Sequence, residues 1–513
     1  VLCGALGGGS PVPAQATPAA APPLPREVLA ALERARVPPE AIVVYVQELG
    51  RPDAPPRLAH REREPVNPGS LAKLLPTAAA LDLLGPAWQW STPVWATGAL
   101  RAGVLEGDLA VRGSGDPKLV LERVWLLLRR VQELGVREVR GDIVLDGSAF
   151  APAAGGAADF DGEALRPYNV QPDALLLNHK ALTYGFVPDA ARGVAWITVQ
   201  PALAGQGVEG SAPSGAASGT TPSGAPSLPL TAGPCEAWRE AVKASFEPGR
   251  TRFAGSYPAA CGEQAWPVAD AAPATYNARL VEALWREMGG RLGGRVRDGV
   301  APLHLKPWFE FRSPPLAEVV RDINKFSNNV MAQQLFLTLP IATAGPAAAP
   351  VATPPTAPVA TAEAARELLR GWVRERLGEP PPGFVIDNGS GLSRETRVTA
   401  AWLVRLLQWA WEQPLAPDFY ASLPLSGHDG TMRRARGAGA GRAHLKTGSL
   451  RDVAGIAGLV HAAGGRRFAV AAVIHHPNAN AARPALEALV QHLVLSPAAA
   501  AAAEGARPAG RTP

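Results

Sequence analysis

Residues 67–77 read NPGSLAKLLPT, and the pairing of Ser70 with Lys73 inside that stretch governs the reading of everything around it. Of the 50 Lys and Arg residues only seven are Lys, so a Lys three positions after a Ser stands out. Arg keeps its charge at any working pH, whereas a desolvated Lys amine loses its proton readily. On a helix, positions i and i+3 share a face, which brings Ser70 Oγ toward Lys73 Nζ. The sequence places Asn67 as N-cap and Pro68 in the first turn, where the helix dipole favours developing negative charge. Ser70 is therefore a candidate nucleophile and Lys73 its general base. A lysine on an exposed helix face would give the same spacing.

Two further clusters lie downstream. In RDINKFSNNVMAQQLF, Ser327 and Asn329 sit two apart on a predicted tight turn before a helix, with Lys325 just ahead. Both side chains would face one cleft, although an ordinary helix cap reads the same way. Near the C-terminus, Lys446-Thr447-Gly448-Ser449 lies on a predicted strand. A cation and a hydroxyl beside a Gly that allows close backbone approach suit the gripping of a carboxylate. Lys-Thr-Gly is the rarest of the three strings by chance, and the ordered set of all three is not accidental.

The order S-x-x-K, S-x-N, K-T-G resembles that of penicillin-binding proteins and serine β-lactamases. More closely, the chain is similar to the D-alanyl-D-alanine carboxypeptidase/endopeptidase family, the class C penicillin-binding proteins of low mass. The matching segments are NPGSLAKLLPTAAAL, GSGDPKL (113–119), GDIVLDGSAF (141–150), CGEQAW (261–266), INKFSNNVMAQQL, DNGSGLSR (387–394), SGHDGTMRRAR (426–436) and KTGSL. The resemblance implies an α+β transpeptidase-like domain with an antiparallel sheet and helices, interrupted by inserted, mainly β domains. It implies that Ser70 attacks the penultimate D-alanine carbonyl of a peptidoglycan stem peptide and that Lys73 is the base. Ser327 with Lys446 would return the proton to the leaving amine, and Asn329 would position Lys73 and the peptide. Lys446 and Thr447 would hold the terminal carboxylate, with Gly448 and Ser449 completing the substrate edge. The N–H groups of Ser70 and Ser449 would form the oxyanion hole. No metal or organic cofactor is called for, and β-lactam antibiotics are the expected covalent ligands. Asn328 and Gln333 depart from the Asp and Glu frequent at those positions. The rival readings are a β-lactamase, sharing all three motifs, and a wall-binding module without catalysis.

The remaining sequence sets the surroundings. A chain of 513 residues accommodates two or three domains. The expected boundaries are 26–92 and 271–496 for the discontinuous catalytic domain and 93–270 for the insert. Segments 205–229 and 343–360 and the tail 497–513 read as weakly ordered from their Gly, Ala and Pro content. Predicted elements include a helix near 26–37, a strand at 41–49, a helix at 276–289, three strands from HLKTGSL, VAGIAGLVHA and FAVAAVIHH, and a closing helix AARPALEALVQHLVL. Helix and strand at one end, with three strands and a helix at the other, predict one antiparallel sheet built from both chain ends.

A net charge of +5 without Lys/Arg runs interleaved with aromatics argues against nucleic acid. No apolar run reaches the length of a membrane span. Ala14-Gln15-Ala16 reads as a cleavage signal closing a leader at 1–16, which predicts an exported, periplasmic protein. Cleavage there leaves Cys235 and Cys261, expected as a disulfide in an oxidising compartment and otherwise as two buried thiols. The nine His residues show no metal-ligand spacing. His428 and His444 lie close to motif segments, and Asp387 and Asp429 read as orienting groups or turn caps.

Overall fold

The computed structural model describes residues 23–211, 225–344 and 359–496. The leader and the C-terminal tail expected from sequence lie outside the described residues.

Strands from the two chain ends do pair. The central sheet runs β2 (Leu58–His60), β1 (Ile42–Glu48), β5 (Arg467–His475), β4 (Val453–His461), β3 (Ala443–Ser449), all antiparallel. β4 and β5 are apolar at nearly every position because both faces of the sheet are covered. On one face Ile42, Val44, Leu445 and Ile456 pack with α1 (Arg26–Arg34) and α6 (Arg483–Val494). On the other, Val43, Ala457 and Val473 pack against α2 (Leu74–Leu84) and α5 (Ala400–Glu412). The same cluster takes in α3 (Leu316–Phe326) and α4 (Asn329–Thr343). A sheet wrapped this way hides all but its edges, and β3 is the edge that carries Lys-Thr-Gly.

The inserted part has its own core. Ser91–Ala96, Leu109–Arg112, Ile143–Asp146, Val296–Asp298 and Phe309–Arg312 form a mixed five-stranded sheet, with helix Leu121–Glu133 crossing between two of its parallel strands. A second five-stranded sheet centres on Ala181–Asp189 and Val194–Gln200. The Cys235–Cys261 bond, with Cα atoms 5.0 Å apart, lies beside this sheet's aromatic core of Phe186, Trp238 and Tyr257.

Three details depart from the sequence expectation. Helix Pro273–Glu287 packs in the inserted core, and strands 296–298 and 309–312 pair with the insert, so we propose its limit near 312 rather than 270. The stretch 205–229 is not unstructured throughout: Gly207–Gly210 and Ser227–Thr231 are strands whose backbone groups pair with 250–253 and 194–196. At the ends of 343–360, α4 runs to Thr343, and buried Ala360 bridges to Phe150. The interior of both segments falls outside the described residues.

Candidate active site

The Ser70 segment opens with a 3₁₀ turn, Gly69–Lys73, and becomes α-helical only at Leu74. Asn67 caps it one residue earlier than a helical N-cap would, accepting from Gly69 N at 2.9 Å and donating to Ser393 O at 2.8 Å. In a 3₁₀ turn side chains at i and i+3 eclipse, which stacks Ser70 over Lys73 more closely than an α-helix would. Lys73 is fully buried, and its Nζ lies 2.9 Å from Ser70 Oγ, 2.7 Å from Asn329 Oδ1 and 2.5 Å from Ser390 O. Burial, and then the nearby charge of Lys446, hold the Lys73 amine well below its usual pKa. A neutral amine has two N–H bonds and one lone pair. As the ammonium, Lys73 donates to Ser70 Oγ, Asn329 Oδ1 and Ser390 O; in its neutral form, with Asn329 Oδ1 and Ser390 O accepting its two hydrogens, its lone pair would be the group left to the Ser70 hydroxyl.

Ser327 and Asn329 arrive from the junction of α3 and α4. Ser327 ends α3 in the left-handed region with φ 56°, a conformation uncommon outside glycine and one that turns its side chain out of the helix line. Asn328 is the N-cap of α4, accepting from Met331 N at 3.0 Å, so capping and site-building are divided between neighbours. Gln333 reaches Ser390 Oγ at 3.4 Å. From β3, the buried Lys446 Nζ donates to Ser327 Oγ at 2.7 Å and to Thr447 O at 2.8 Å. Burial brings its pKa down to about 7. Thr447 Oγ1 is 2.8 Å from Thr431 Oγ1.

Backbone packing locks these pieces together. A Cβ on Gly448 would stand 2.4 Å from Pro68 O, and one on Gly69 would stand 3.1 Å from Ser449 N. The Ser70 turn and the β3 edge thus touch backbone to backbone, with the N–H groups of Ser70 and Ser449 on neighbouring segments. Gly391, at φ 78°, brings the DNGSGLSR loop equally close to Gly69 O.

Sequence reasoning passed over several groups. DNGSGLSR entered the sequence reading only as a matching segment, yet it supplies Ser390 O to Lys73. Lys325 pairs with Asp429 Oδ2 at 2.6 Å, and Asp429 Oδ1 accepts from Leu425 N, pinning the SGHDGT loop against α3. Burial works against the Asp429 carboxylate, but hydrogen bonds from Lys325 and Leu425 hold its pKa below the usual value. Asp387 meets Arg366 and sits behind the site. His444 is lowered by burial and then by His461, and is not among the residues lining the cleft. From the insert, Asp161, Glu163, Arg166 and Tyr168 line the same cavity of about 1210 Å³ as Ser70. No motif marks that segment in the sequence.

Residues 26–494 match the model of the D-Ala-D-Ala carboxypeptidase 3 (S13) family. The chain belongs to this family. Among curated members it is similar to D-alanyl-D-alanine carboxypeptidase from Actinomadura sp. (strain R39), 30% identical over 413 residues, covering 77% of this chain and 71% of that protein. It is 24% identical over 413 residues to D-alanyl-D-alanine carboxypeptidase DacB from Haemophilus influenzae, covering 78% of each. The fold matches the crystal structure of penicillin-binding protein 4 (dacB) from Haemophilus influenzae with a TM-score of 0.68 at 19% identity, over 90% of this chain and 99% of that one. The α+β, penicillin-binding-protein-like fold and the serine-type D-Ala-D-Ala carboxypeptidase reading follow from the family. Among the described residues no helix is long and apolar enough to cross a membrane.

Proposed function

We propose that this carboxypeptidase-family enzyme hydrolyses D-alanyl bonds of peptidoglycan stem peptides through an ester on Ser70. The observation that carries this reading is the buried Lys73 amine, whose Nζ lies within hydrogen-bond distance of Ser70 Oγ while Asn329 Oδ1 and Ser390 O hold it from the other side. Lys73 takes the Ser70 proton as Oγ bonds to the D-alanyl carbonyl carbon. The N–H groups of Ser70 and Ser449 receive the oxyanion, each such donor being worth about 2.7–4 kcal/mol. When the C–N bond breaks, Ser327, joined to Lys446, returns a proton to the departing amine. Lys446 and Thr447 hold the substrate carboxylate, and Asn329 orients Lys73. Water then hydrolyses the ester and restores Ser70. An exported, periplasmic location agrees with this substrate and with the Cys235–Cys261 bond.

A β-lactam presents Ser70 with a ring carbonyl that mimics the D-alanyl one, but its leaving amine stays tethered. Rapid hydrolysis would need a carboxylate free to activate water. The two carboxylates that the insert brings to the cleft, Asp161 and Glu163, are bonded to Tyr168, Asn169 and Arg166. Labelled penicillin should therefore remain on Ser70 for minutes or longer, mapped by peptide mass analysis and absent in Ser70→Ala. Catalytic clearance of excess penicillin without retained label would favour the β-lactamase reading. Mass analysis of digested muropeptides should show loss of D-alanine, cleavage of crosslinks, or both. Intact muropeptides after prolonged digestion would refute the peptidase reading.

A further inference from the structure

The Ser327–Lys446 bond is not the only link between α3 and β3. A second one runs through the loop 424–433. At its start the loop is tied to β3: Leu445 N donates to Pro424 O at 2.9 Å and Ser426 N to Ala443 O at 2.8 Å. At Asp429 it is tied to α3. Lys325, in the last turn of α3, is buried, and its Nζ lies 2.6 Å from Asp429 Oδ2. Asp429 Oδ1 accepts from Leu425 N at 2.7 Å, so both carboxylate oxygens are engaged. Gly430, at φ 54°, packs so close to α3 that a Cβ there would overlap Lys325 O. The next residue, Thr431, lies in the 3₁₀ turn Gly430–Met432, lines the Ser70 cavity and places its Oγ1 2.8 Å from Thr447 Oγ1. Stripping a buried ammonium of its carboxylate is strongly unfavourable. The loop therefore stays on α3, and Thr431 is held at a fixed place over the Lys-Thr-Gly edge.

We infer that Thr431 is a positioning residue for substrate selection: its hydroxyl, held in place by the Lys325–Asp429 pair, aims the Thr447 hydroxyl at the substrate carboxylate. The inference rests on the peptidase reading above, in which Lys446 and Thr447 hold that carboxylate. A hydroxyl has one hydrogen and two lone pairs, and its hydrogen rotates to suit its partners. In the free enzyme the Thr447 hydroxyl donates to Thr431 Oγ1. A carboxylate only accepts. On its arrival the Thr447 hydrogen turns to the anion, and the Thr431 hydroxyl donates to Thr447 Oγ1 in exchange. Thr447 thus keeps its place in both states, and the hydrogen bonds in series polarise one another toward the anion. Ser70, Lys73 and Ser390 stand outside this chain. Its effect falls on the choice of a carboxylate-bearing substrate and not on the attack at the carbonyl.

The test measures the second-order rate of Ser70 acylation, read by protein mass, with benzylpenicillin and with its methyl ester, which lacks the free carboxylate. In Thr431→Val the rate with the acid should fall about tenfold, the effect of one misaligned hydrogen bond to a charged group. The rate with the ester should stay within about twofold. Thr431→Ser keeps the hydroxyl and should match the wild type on both. Asp429→Asn breaks the ion pair that holds the loop and should show the same acid-specific loss. Thr431→Val/Asp429→Asn should lose no more than Thr431→Val alone, because both changes act through one hydroxyl. Equal losses on acid and ester, an unchanged acid rate in Thr431→Val, no recovery in Thr431→Ser, or losses that multiply in the double variant would overturn the inference while leaving the carboxylate reading intact. If Asp429→Asn does not fold, the two Thr431 variants decide alone. A wild type that acylates equally with acid and ester would instead remove the carboxylate reading and this inference with it.

Discussion

Gly448→Ala is the sharpest test of how the Ser70 turn meets the edge strand. The added methyl would lie 2.4 Å from Pro68 O and 3.0 Å from Leu71 Cγ. The first contact is about 1 Å inside ordinary van der Waals distance, and its partner is backbone, which has no rotamer by which to withdraw. β3 must therefore retreat from the Ser70 turn by about that distance. It takes with it the Ser449 N–H and the Lys446 amine that holds Ser327. A 1 Å misplacement costs on the order of 100-fold in rate. The expected result is a fall of about 100-fold in the second-order rate of Ser70 acylation, followed with fluorescent penicillin. Gly371→Ala is the control. Gly371 lies in helix Ala362–Leu377, with open space where its Cβ would stand. It should acylate normally and gain about 0.4–1 kcal/mol in stability. If Gly448→Ala folded cooperatively and acylated within about threefold of wild type, the argument that this contact sets the site geometry would be refuted.

Lys73→Arg puts in place of the amine a guanidinium that stays protonated at neutral pH and cannot take the Ser70 proton, so acylation should fall below detection while the fold persists. Substantial turnover by that variant would take the base role from Lys73. In the free enzyme Lys446 loses its proton near pH 7, so kcat/KM for carboxylate substrates should decline on the alkaline side from about that pH. An alkaline limb beginning only above about pH 9 would contradict this. The same depressed pKa means the unfolded chain binds the Lys446 proton more tightly. Stability should therefore rise with pH from about 7 toward the normal lysine range, and a urea series across that window would reveal a missing gain. Cys235 and Cys261 close a loop of sequence separation 26, so replacing both with Ser should lower stability by about 3–4 kcal/mol. Two free thiols in unreduced, denatured protein would rule the bond out.

The fold was legible where the pattern was local and strong. The unbroken apolar runs 453–460 and 468–474 read as buried strands, and a sheet joining both chain ends followed from their order. The limit of the insert was not legible, because strands 296–298 and 309–312 are short and owe their place to partners at 143–145 and 91–94. Likewise, a Gly/Ala/Pro-rich composition concealed strands 207–210 and 227–231, which pair with 250–253 and 194–196 and seat Leu228 in the inserted core. At the site, Ser70, Lys73, Ser327, Asn329 and Lys446 were visible as side chains of unusual chemistry at fixed spacing. Ser390 was not, since it contributes a carbonyl that any residue type would supply. The Lys325–Asp429 pair escaped notice because its members lie 104 residues apart and no local pattern couples them.

The site is also closed in time. Lys73 depends on Ser390, 317 residues further along, and Ser327 depends on Lys446, 119 residues beyond it. β1 has no neighbour other than short β2 until β5 has been made. During synthesis, the insert can close once residue 312 has emerged, since its strands pair among themselves, while the catalytic sheet must wait for β5 at 467–475, a long-range closure of the slow kind. A prematurely terminated chain would thus present a folded insert and an inert serine. The enzyme acquires its reactivity only after the segment through residue 475 has emerged, so shorter copies are harmless to the wall they are made to cut.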